Sequence, residues 1–160
     1  FALIGRGMQL AIGLRNDVAA RVKGPADLKG LKFGVTAPGS QTHMLANFWA
    51  AKGGLKATDI VAIGVGAGAS VVAAIEKGEV DGVSQSDPAL TILQEKNLIK
   101  IMLDTRTMKG NQELFGGAFP AACLYAQPEL LTKTPGTAQA LATGIVRANE
   151  WLQKATPAEV

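Results

Sequence analysis

The chain has 160 residues, of which 48% are hydrophobic and 18% are charged, and its formal net charge is +3. This length is sufficient to bury one core, and the absence of a long uninterrupted apolar run argues against a membrane span. Lysines and arginines are spread singly instead of forming a basic stripe, which argues against nucleic-acid binding. The single cysteine, Cys123, rules out an internal disulfide and is predicted to be a small buried residue.

Short apolar runs that predict strands alternate with helical patterns over most of the chain. The strands are predicted at residues 8–15, 31–36, 60–63, 80–84 and 98–103. One helix is predicted to begin at its N-cap, Ser40, and to end at Gly53, and two more run from residue 71 to Gly78 and from Asp87 to about Lys96. This alternation predicts right-handed βαβ units, and therefore a three-layer α/β fold in which helices flank a mainly parallel sheet.

The sequence changes character after the last of these strands. Residues 105–117 are polar and contain glycine, so they are predicted to form a loop, and residues 121–126 return as an apolar strand. The final helix has the clearest pattern, with Thr134 as the expected N-cap, Pro135 in the first turn and an apolar face. The first residues have no initiator methionine and no signal-peptide pattern, and the last ones resemble the start of another helix. We therefore expect the sequence to be a fragment.

Two turns at the carboxyl ends of predicted strands indicate where a ligand binds. One spans residues 37–42 and the other spans residues 64–70. Each turn leads into a helix, so each places backbone N–H groups and a hydroxyl at the positive end of a helix dipole. In an open parallel sheet these ends form one rim, where small molecules bind. The two turns therefore predict a ligand-binding rim.

Several of these segments together resemble a known family. They are the strand and turn DLKGLKFGVTAPGS (27–40), the glycine-rich second turn, the segment KGEVDGV (77–83) and the Asp87-Pro88 turn. In this order they are similar to the solute-binding proteins of ABC importers in the nitrate, sulfonate, taurine and thiamine-precursor group, from about Gly13 to Leu131. The resemblance implies one lobe of a type 2 periplasmic binding protein fold plus part of the other. Residues 16–119 would form the second lobe, and residues 1–15 and 120–160 the hinge-crossing strands and a partial first lobe.

The resemblance also indicates which residues contact the solute. The family's binding residues map onto the starts of three helices, at Ser40, Gln41 and Thr42, at Gly66, Ala67, Gly68, Ala69 and Ser70, and at Ser86 and Asp87. Many relatives carry glutamate where this chain has Asp87. This departure from the family pattern weakens the inference that the carboxylate contacts the solute directly. A carboxylate on the rim would repel an anionic solute and favour one that carries an amine. Gln85 precedes Ser86 in an extended segment, so its side chain is predicted to point to the opposite side.

The function that the resemblance implies is the capture of a small anionic or zwitterionic organic solute between two lobes. Such a protein delivers a sulfonate-, nitrate- or thiamine-precursor-like solute to the ABC permease in the membrane, from the periplasm or from an anchor at the cell surface. It needs no cofactor and binds no nucleic acid. Two alternatives with the same fold stay open: the effector-sensing domain of a regulator, and an enzyme related to pyrimidine-precursor synthases. That enzyme would need a lysine and a histidine facing the cleft, and His43 is the only histidine.

Other kinds of active site lack the residues that they need. The glycine-rich turn has neither the G-x-G-x-x-G spacing nor the Gly-Lys-Ser/Thr of nucleotide-binding loops. No G-x-S-x-G surrounds a serine, H-E-x-x-H is impossible with one histidine, and no paired carboxylates share a helix face near the rim. The sequence therefore predicts neither catalytic residues nor a metal site, and Trp49 and Trp151 are predicted to be packing residues.

Overall fold

The structure, a computed structural model, describes residues 1–160 and divides into two compact units. The larger unit comprises Gly7–Ala118, and the smaller comprises Phe1–Arg6 with Phe119–Val160. The strands are β1 (Ala2–Gly5), β2 (Ala11–Arg15), β3 (Lys32–Val35), β4 (Val61–Gly64), β5 (Gly82–Gln85), β6 (Ile99–Asp104) and β7 (Ala122–Leu124). The helices are α1 (Asn16–Ala19), α2 (Gln41–Lys52), α3 (Ala69–Glu76), α4 (Ala89–Glu95), α5 (Met108–Phe115), α6 (Pro128–Lys133) and α7 (Pro135–Leu152), with 3-10 turns at Pro25–Leu28 and Ala57–Asp59.

A five-stranded sheet forms the framework of the larger unit, with the strand order β4-β3-β5-β2-β6. β3 pairs in parallel with β4 and β5, whereas β2 pairs antiparallel with β5 and β6. All the strands of this sheet except β2 therefore point the same way. The predicted α/β fold, a mainly parallel sheet flanked by helices, is confirmed, and β2 makes the sheet a mixed one.

The order of the crossovers assigns the helices to the two faces of this sheet. The chain moves from β3 to its neighbour β4 through α2, and then back across β3 to β5 through α3. Because βαβ connections are right-handed, connections in opposite directions place their helices on opposite faces. α4 leads from β5 towards β6 in the same direction as α3, and these two helices contact each other. The sheet is thus the middle layer of three.

The core on the α3 and α4 face explains why these segments are helical. Their buried residues recur at helical spacing and pack on side chains from β2, β5 and β6. The cluster consists of Ala11, Val71, Val72, Ala74, Ile75, Val80, Val83, Ala89, Leu90, Leu93 and Ile99. Burying a side chain of the size of leucine contributes about 1.5–3 kcal/mol, so this cluster is a major stabilising feature of the unit. It holds the starts of α3 and α4 in fixed positions at the edge of the sheet.

The segment after β6 is a helix and not the predicted loop. The hydroxyl of Thr107 accepts a hydrogen bond from the N–H of Gly110 at 3.0 Å and caps α5, and Gly116 ends the helix with φ +81°. A Cβ at Gly110 would collide with the carbonyl oxygen of Asp104. Glycine is present here because the helix packs closely on the end of β6. The prediction was wrong because it took glycine and polar residues as signs of a loop.

The smaller unit contains the antiparallel pair of β1 and β7, and the contacting helices α6 and α7. Ala138 is its single buried residue. Cys123 is exposed, so its predicted burial is wrong. Thr134 precedes α7 as predicted, but its hydroxyl donates to the carbonyl oxygen of Leu130 at 2.9 Å instead of capping the helix. No helix of the chain combines the length and the apolar character needed to cross a bilayer.

The lobe boundaries derived from the resemblance, residues 16–119 against residues 1–15 and 120–160, stay a prediction. The larger compact unit begins at Gly7, before the predicted lobe does. The reason is that β2 is hydrogen-bonded on both sides, by β5 and by β6, and so is an inner strand of the sheet.

Candidate functional site

The parallel strands β3, β4 and β5 end at one edge of the sheet, and the turn that follows each strand lies there. The N–H of Val65 donates to the carbonyl oxygen of Val35 at 2.9 Å, which joins the turn after β4 to the end of β3. The side-chain amide of Gln85 donates to the carbonyl oxygen of Gly66 at 3.1 Å, which joins the end of β5 to the same turn. We call residues 36–42, 64–70 and 85–87 the rim. The sequence-predicted site residues all lie on the rim or in the first turns of its helices, and their contact with a solute stays a prediction.

A chain of three hydroxyl groups organises the turn before α2. Thr42 is 4% exposed, and its hydroxyl accepts a hydrogen bond from the N–H of Thr36 at 2.9 Å. The same oxygen lies 2.9 Å from the hydroxyl of Thr36 and 2.7 Å from that of Ser40. Three hydroxyl groups carry three protons, and the two bonds between them use two of these protons. One outer hydroxyl of the three, that of Thr36 or that of Ser40, therefore has an O–H that is free to donate to a solute.

Ser40 also acts as the predicted N-cap of α2. Its hydroxyl oxygen accepts from the N–H of His43 at 3.4 Å. The Nδ1 atom of His43 accepts from the N–H of Gly39 at 2.9 Å, so the proton of the neutral ring is on Nε2. The N–H groups of Gln41 and Thr42 belong to the first turn, where no intrahelical acceptor exists. The start of α2 therefore presents N–H and O–H donors at the positive end of a 12-residue helix.

The glycine-rich turn has a backbone that glycine alone adopts easily. Gly66 and Gly68 have φ +71° and +73°, in the left-handed region. The hydroxyl of Ser70 donates to the carbonyl oxygen of Val65 at 2.6 Å and lies 3.2 Å from that of Ala67. Ser70 therefore fixes the shape of the turn, and its oxygen is left as an acceptor. The backbone of the turn, more than this hydroxyl, is what a solute would meet.

Gln85 holds the glycine-rich turn through a hydrogen bond, a role that the sequence did not indicate. Its side chain is 1% exposed and reaches across to Gly66, as described above. The alternation of side chains along a strand placed it opposite Ser86, away from the solute, and gave no information about a neighbouring turn. The signal that could have found it is a long amide side chain at the buried end of an otherwise apolar strand, where a hydrogen-bond partner is required.

Asp87 lies between α4 and a cation that the sequence did not single out. Its Oδ1 accepts from the N–H of Thr91 at 3.2 Å and from the Thr91 hydroxyl at 2.7 Å, which gives α4 the predicted capping carboxylate. Nη1 of Arg106 lies 3.2 Å from Oδ1 and 3.0 Å from Oδ2 of the same carboxylate. Partial burial raises the pKa of Asp87, but the hydrogen bonds from Thr91 and Arg106 outweigh it and hold this pKa below its ordinary value. Asp87 is therefore ionised and paired.

The other side of the Arg106 guanidinium binds Asp104, at the end of β6. Nε and Nη2 of Arg106 donate to the two carboxylate oxygens at 2.9 and 2.7 Å, and the backbone N–H of Arg106 donates to Oδ1 at 3.0 Å. These bonds lower the pKa of Asp104, against the smaller opposing effect of burial. Ala11 of β2 is the register partner of both Gln85 and Asp104, so the ends of β5 and β6 lie on either side of it. Arg106 thus extends the rim to β6.

Comparison with known proteins gives four findings. The sequence profile of the NMT1-like family matches residues 6–160. The nitrate/nitrite binding protein NrtA of Nostoc sp. is 26% identical over 136 residues, which are 85% of this chain and 29% of that protein. A solved structure from Bordetella bronchiseptica RB50 is 51% identical, with a TM-score of 0.88 over 97% of this chain and 49% of that one. The alkanesulfonate-binding protein SsuA from Xanthomonas axonopodis pv. citri, bound to MOPS, has a TM-score of 0.69 at 22% identity, over 96% of this chain and 50% of that one.

These relatives are longer than the chain described here. The chain spans 29% of the nitrate-binding relative and about half of each of the two solved structures. At 22% identity, the likeness to the alkanesulfonate-binding protein shows a shared fold. The family resemblance of the sequence had implied that fold.

Proposed function

Because the chain belongs to the NMT1-like family, with its profile matched at residues 6–160, we propose that it acts as the solute-binding component of an ABC importer. It captures a small anionic or zwitterionic organic solute at the rim and delivers it to the membrane permease, from the periplasm or from an anchor at the cell surface. The observation that carries this proposal is the meeting of three helix-starting turns at one edge of the sheet. This arrangement suits binding, and we propose no catalytic role.

The donors of the rim suit the oxygen atoms of a sulfonate, nitrate or carboxylate group. The free N–H groups at the start of α2 and the O–H at the end of the hydroxyl chain would each donate to one oxygen. The backbone N–H groups between Gly66 and Ser70 would contact the remaining oxygens. Ser86 is half-buried and lies directly after β5, next to Asp87 in the chain. We propose this set, with Gln41 and Thr42 contacting through the backbone, as the contacts that the larger unit makes with the solute.

The relatives suggest which solutes to test. One is named for nitrate and nitrite, and one solved structure holds the sulfonate MOPS. We therefore propose nitrate and alkanesulfonates as the first solutes to test, and we add taurine and thiamine precursors, which the sequence resemblance implies.

Native mass spectrometry of the complete gene product as purified, together with a thermal-shift panel of these compounds, tests the proposal. A solute at 100 times its Kd stabilises the folded state by about 2.7 kcal/mol. For a protein of 150–250 residues that corresponds to a rise in Tm of roughly 5–10 °C, and for a longer gene product to a smaller rise. A co-purified small molecule, or a concentration-dependent rise in Tm, is the expected result. A protein that carries nothing and responds to no compound would contradict the proposal, and turnover of a substrate instead would favour the enzyme alternative.

The variant Ser40→Gly tests whether the solute binds at the rim. Glycine is tolerated at an N-cap at a cost of only a few tenths of a kcal/mol, so the variant removes the hydroxyl and leaves the helix nearly as stable. We expect the variant to keep the wild-type Tm without solute and to show a smaller rise with it. An equal rise in variant and wild type would mean that this hydroxyl makes no contact with the solute.

A further inference from the structure

The rim carries a carboxylate, which conflicts with an anionic solute. Asp87 directly follows Ser86, and its side chain is 46% exposed. Neighbouring strands lie about 4.8 Å apart, so the ends of β3 and β4 lie roughly 5 and 10 Å from the end of β5, which Asp87 follows by two residues. An unpaired negative charge at that distance would weaken the binding of any sulfonate, nitrate or carboxylate group.

Arg106 reduces this conflict, because its guanidinium group pairs with Asp87. Its Nε and Nη2 atoms hold Asp104 in a two-point contact, and this geometry aims Nη1 at Asp87. The side chain of Arg106 is 21% exposed, less than that of either carboxylate. The guanidinium is shared between the two carboxylates, so its positive charge offsets one of their two negative charges. The three groups together carry a net charge of −1, and without Arg106 they would carry −2.

Asp87 does not need Arg106 to stay in position. The N–H and the hydroxyl of Thr91 both donate to its Oδ1, and both bonds lie within the start of α4. Asp104 likewise keeps its place as the last residue of β6. Removing the guanidinium would therefore change the charge on the rim more than its shape.

We propose that Arg106 is a specificity-determining residue of the site, an inference that rests on the proposed function. By pairing with Asp87 it lets the rim accept a solute whose anionic group has no amine beside it. Without Arg106 the same rim would prefer zwitterions, since an ammonium group would take over the pairing with Asp87. The residue thus sets the preference between simple anions and amine-bearing anions.

Ethanesulfonate and taurine are suitable probes because they differ by one ammonium group. Titration calorimetry on the complete gene product would compare the wild type with Arg106→Gln. One added negative charge at roughly 10 Å, with an effective dielectric constant of about 20–40, weakens the binding of an anion about 5- to 15-fold. We expect that loss for ethanesulfonate and a smaller one for taurine, so that their affinity ratio shifts towards taurine.

Two further variants separate charge from shape. The double variant Arg106→Gln/Asp87→Asn restores the net charge of −1, and we expect it to recover most of the lost affinity for ethanesulfonate. The matched control is Lys96→Gln, which removes a cation from the exposed pair with Glu76 at the opposite end of α4 and is expected to leave both affinities unchanged. Urea unfolding of each variant confirms that it is folded.

The outcomes distinguish this inference from the proposed function. A wild type that binds neither probe nor any other compound of the panel overturns the proposed function, and the inference falls with it. A wild type that binds ethanesulfonate while Arg106→Gln binds it equally well overturns the inference alone. A loss that the double variant does not recover would mean that Arg106 touches the solute directly or supports the structure, and would also overturn it.

Discussion

Replacing Gly110 by alanine should destabilise the protein, although alanine is the better helix former. Gly110 lies in the first turn of α5, and a Cβ there would overlap the carbonyl oxygen of Asp104. That oxygen belongs to the main chain at the end of β6, whose register with Ala11 of β2 fixes its position. Neither side of the contact can move away without breaking the sheet or lifting the helix.

The size of the effect follows from two opposing contributions. Alanine gains about 1 kcal/mol over glycine in a helix interior. Overpacking against atoms that cannot move costs typically 1–3 kcal/mol, and a main-chain oxygen puts this site at the upper end. We therefore expect the free energy of unfolding to fall by about 1–2 kcal/mol in Gly110→Ala.

Gly144 provides the matched control, since it is a glycine inside α7 with nothing within 4 Å of a Cβ built on it. Gly144→Ala should have the opposite sign and stabilise by up to about 1 kcal/mol. Urea unfolding followed by circular dichroism would compare both variants with the wild type. If Gly110→Ala proved as stable as the wild type, α5 would not pack on the end of β6 as described.

Two other predictions concern the rim. Gln85→Met keeps the size of the side chain but leaves the carbonyl oxygen of Gly66 without its donor, so urea unfolding should show a loss of about 1–2 kcal/mol; an unchanged midpoint would mean that this hydrogen bond contributes nothing. The pKa values of Asp87 and Asp104 lie below their ordinary value of 3.8, so their contribution to stability is present above that pH and is lost as the pH falls through the lowered values. Arg106→Gln should therefore flatten the dependence of the urea midpoint on pH below about pH 4, and an equally steep dependence in both proteins would refute this.

The parts of the fold that local patterns specify could be predicted from the sequence. Ser40 and Gly53 bound α2 as expected, and the strands of the sheet lie where apolar runs were found. The resemblance to solute-binding proteins of ABC importers, based on the order of strands and turns, is confirmed by the match to the NMT1-like family over residues 6–160. These features depend on capping residues, turn residues and the spacing of apolar residues, all of which are signals between positions close together in the chain.

The features that the sequence missed depend on contacts between distant segments. Gly110 looked like a loop residue because its close neighbour, Asp104, acts through a carbonyl group that leaves no sequence pattern. Arg106 was hidden in that supposed loop, and its bond to Asp87 joins residues that follow two different strands. Gln85 contacts Gly66 across the sheet edge, 19 residues away in the chain. Cys123 lies in an apolar strand, but β7 belongs to a unit with one buried residue, so an apolar neighbourhood did not imply burial.

The most direct test of solute binding at the rim is an NMR titration of the isotope-labelled complete gene product with nitrate, ethanesulfonate and taurine. The structure predicts that the largest amide shifts fall on Gln41 and Thr42 and on the turn from Gly66 to Ser70. Residues at the opposite edge of the sheet, such as Asn16 and Gly78, should shift little. Shifts confined to that opposite edge, or none with any compound of the panel, would contradict the account.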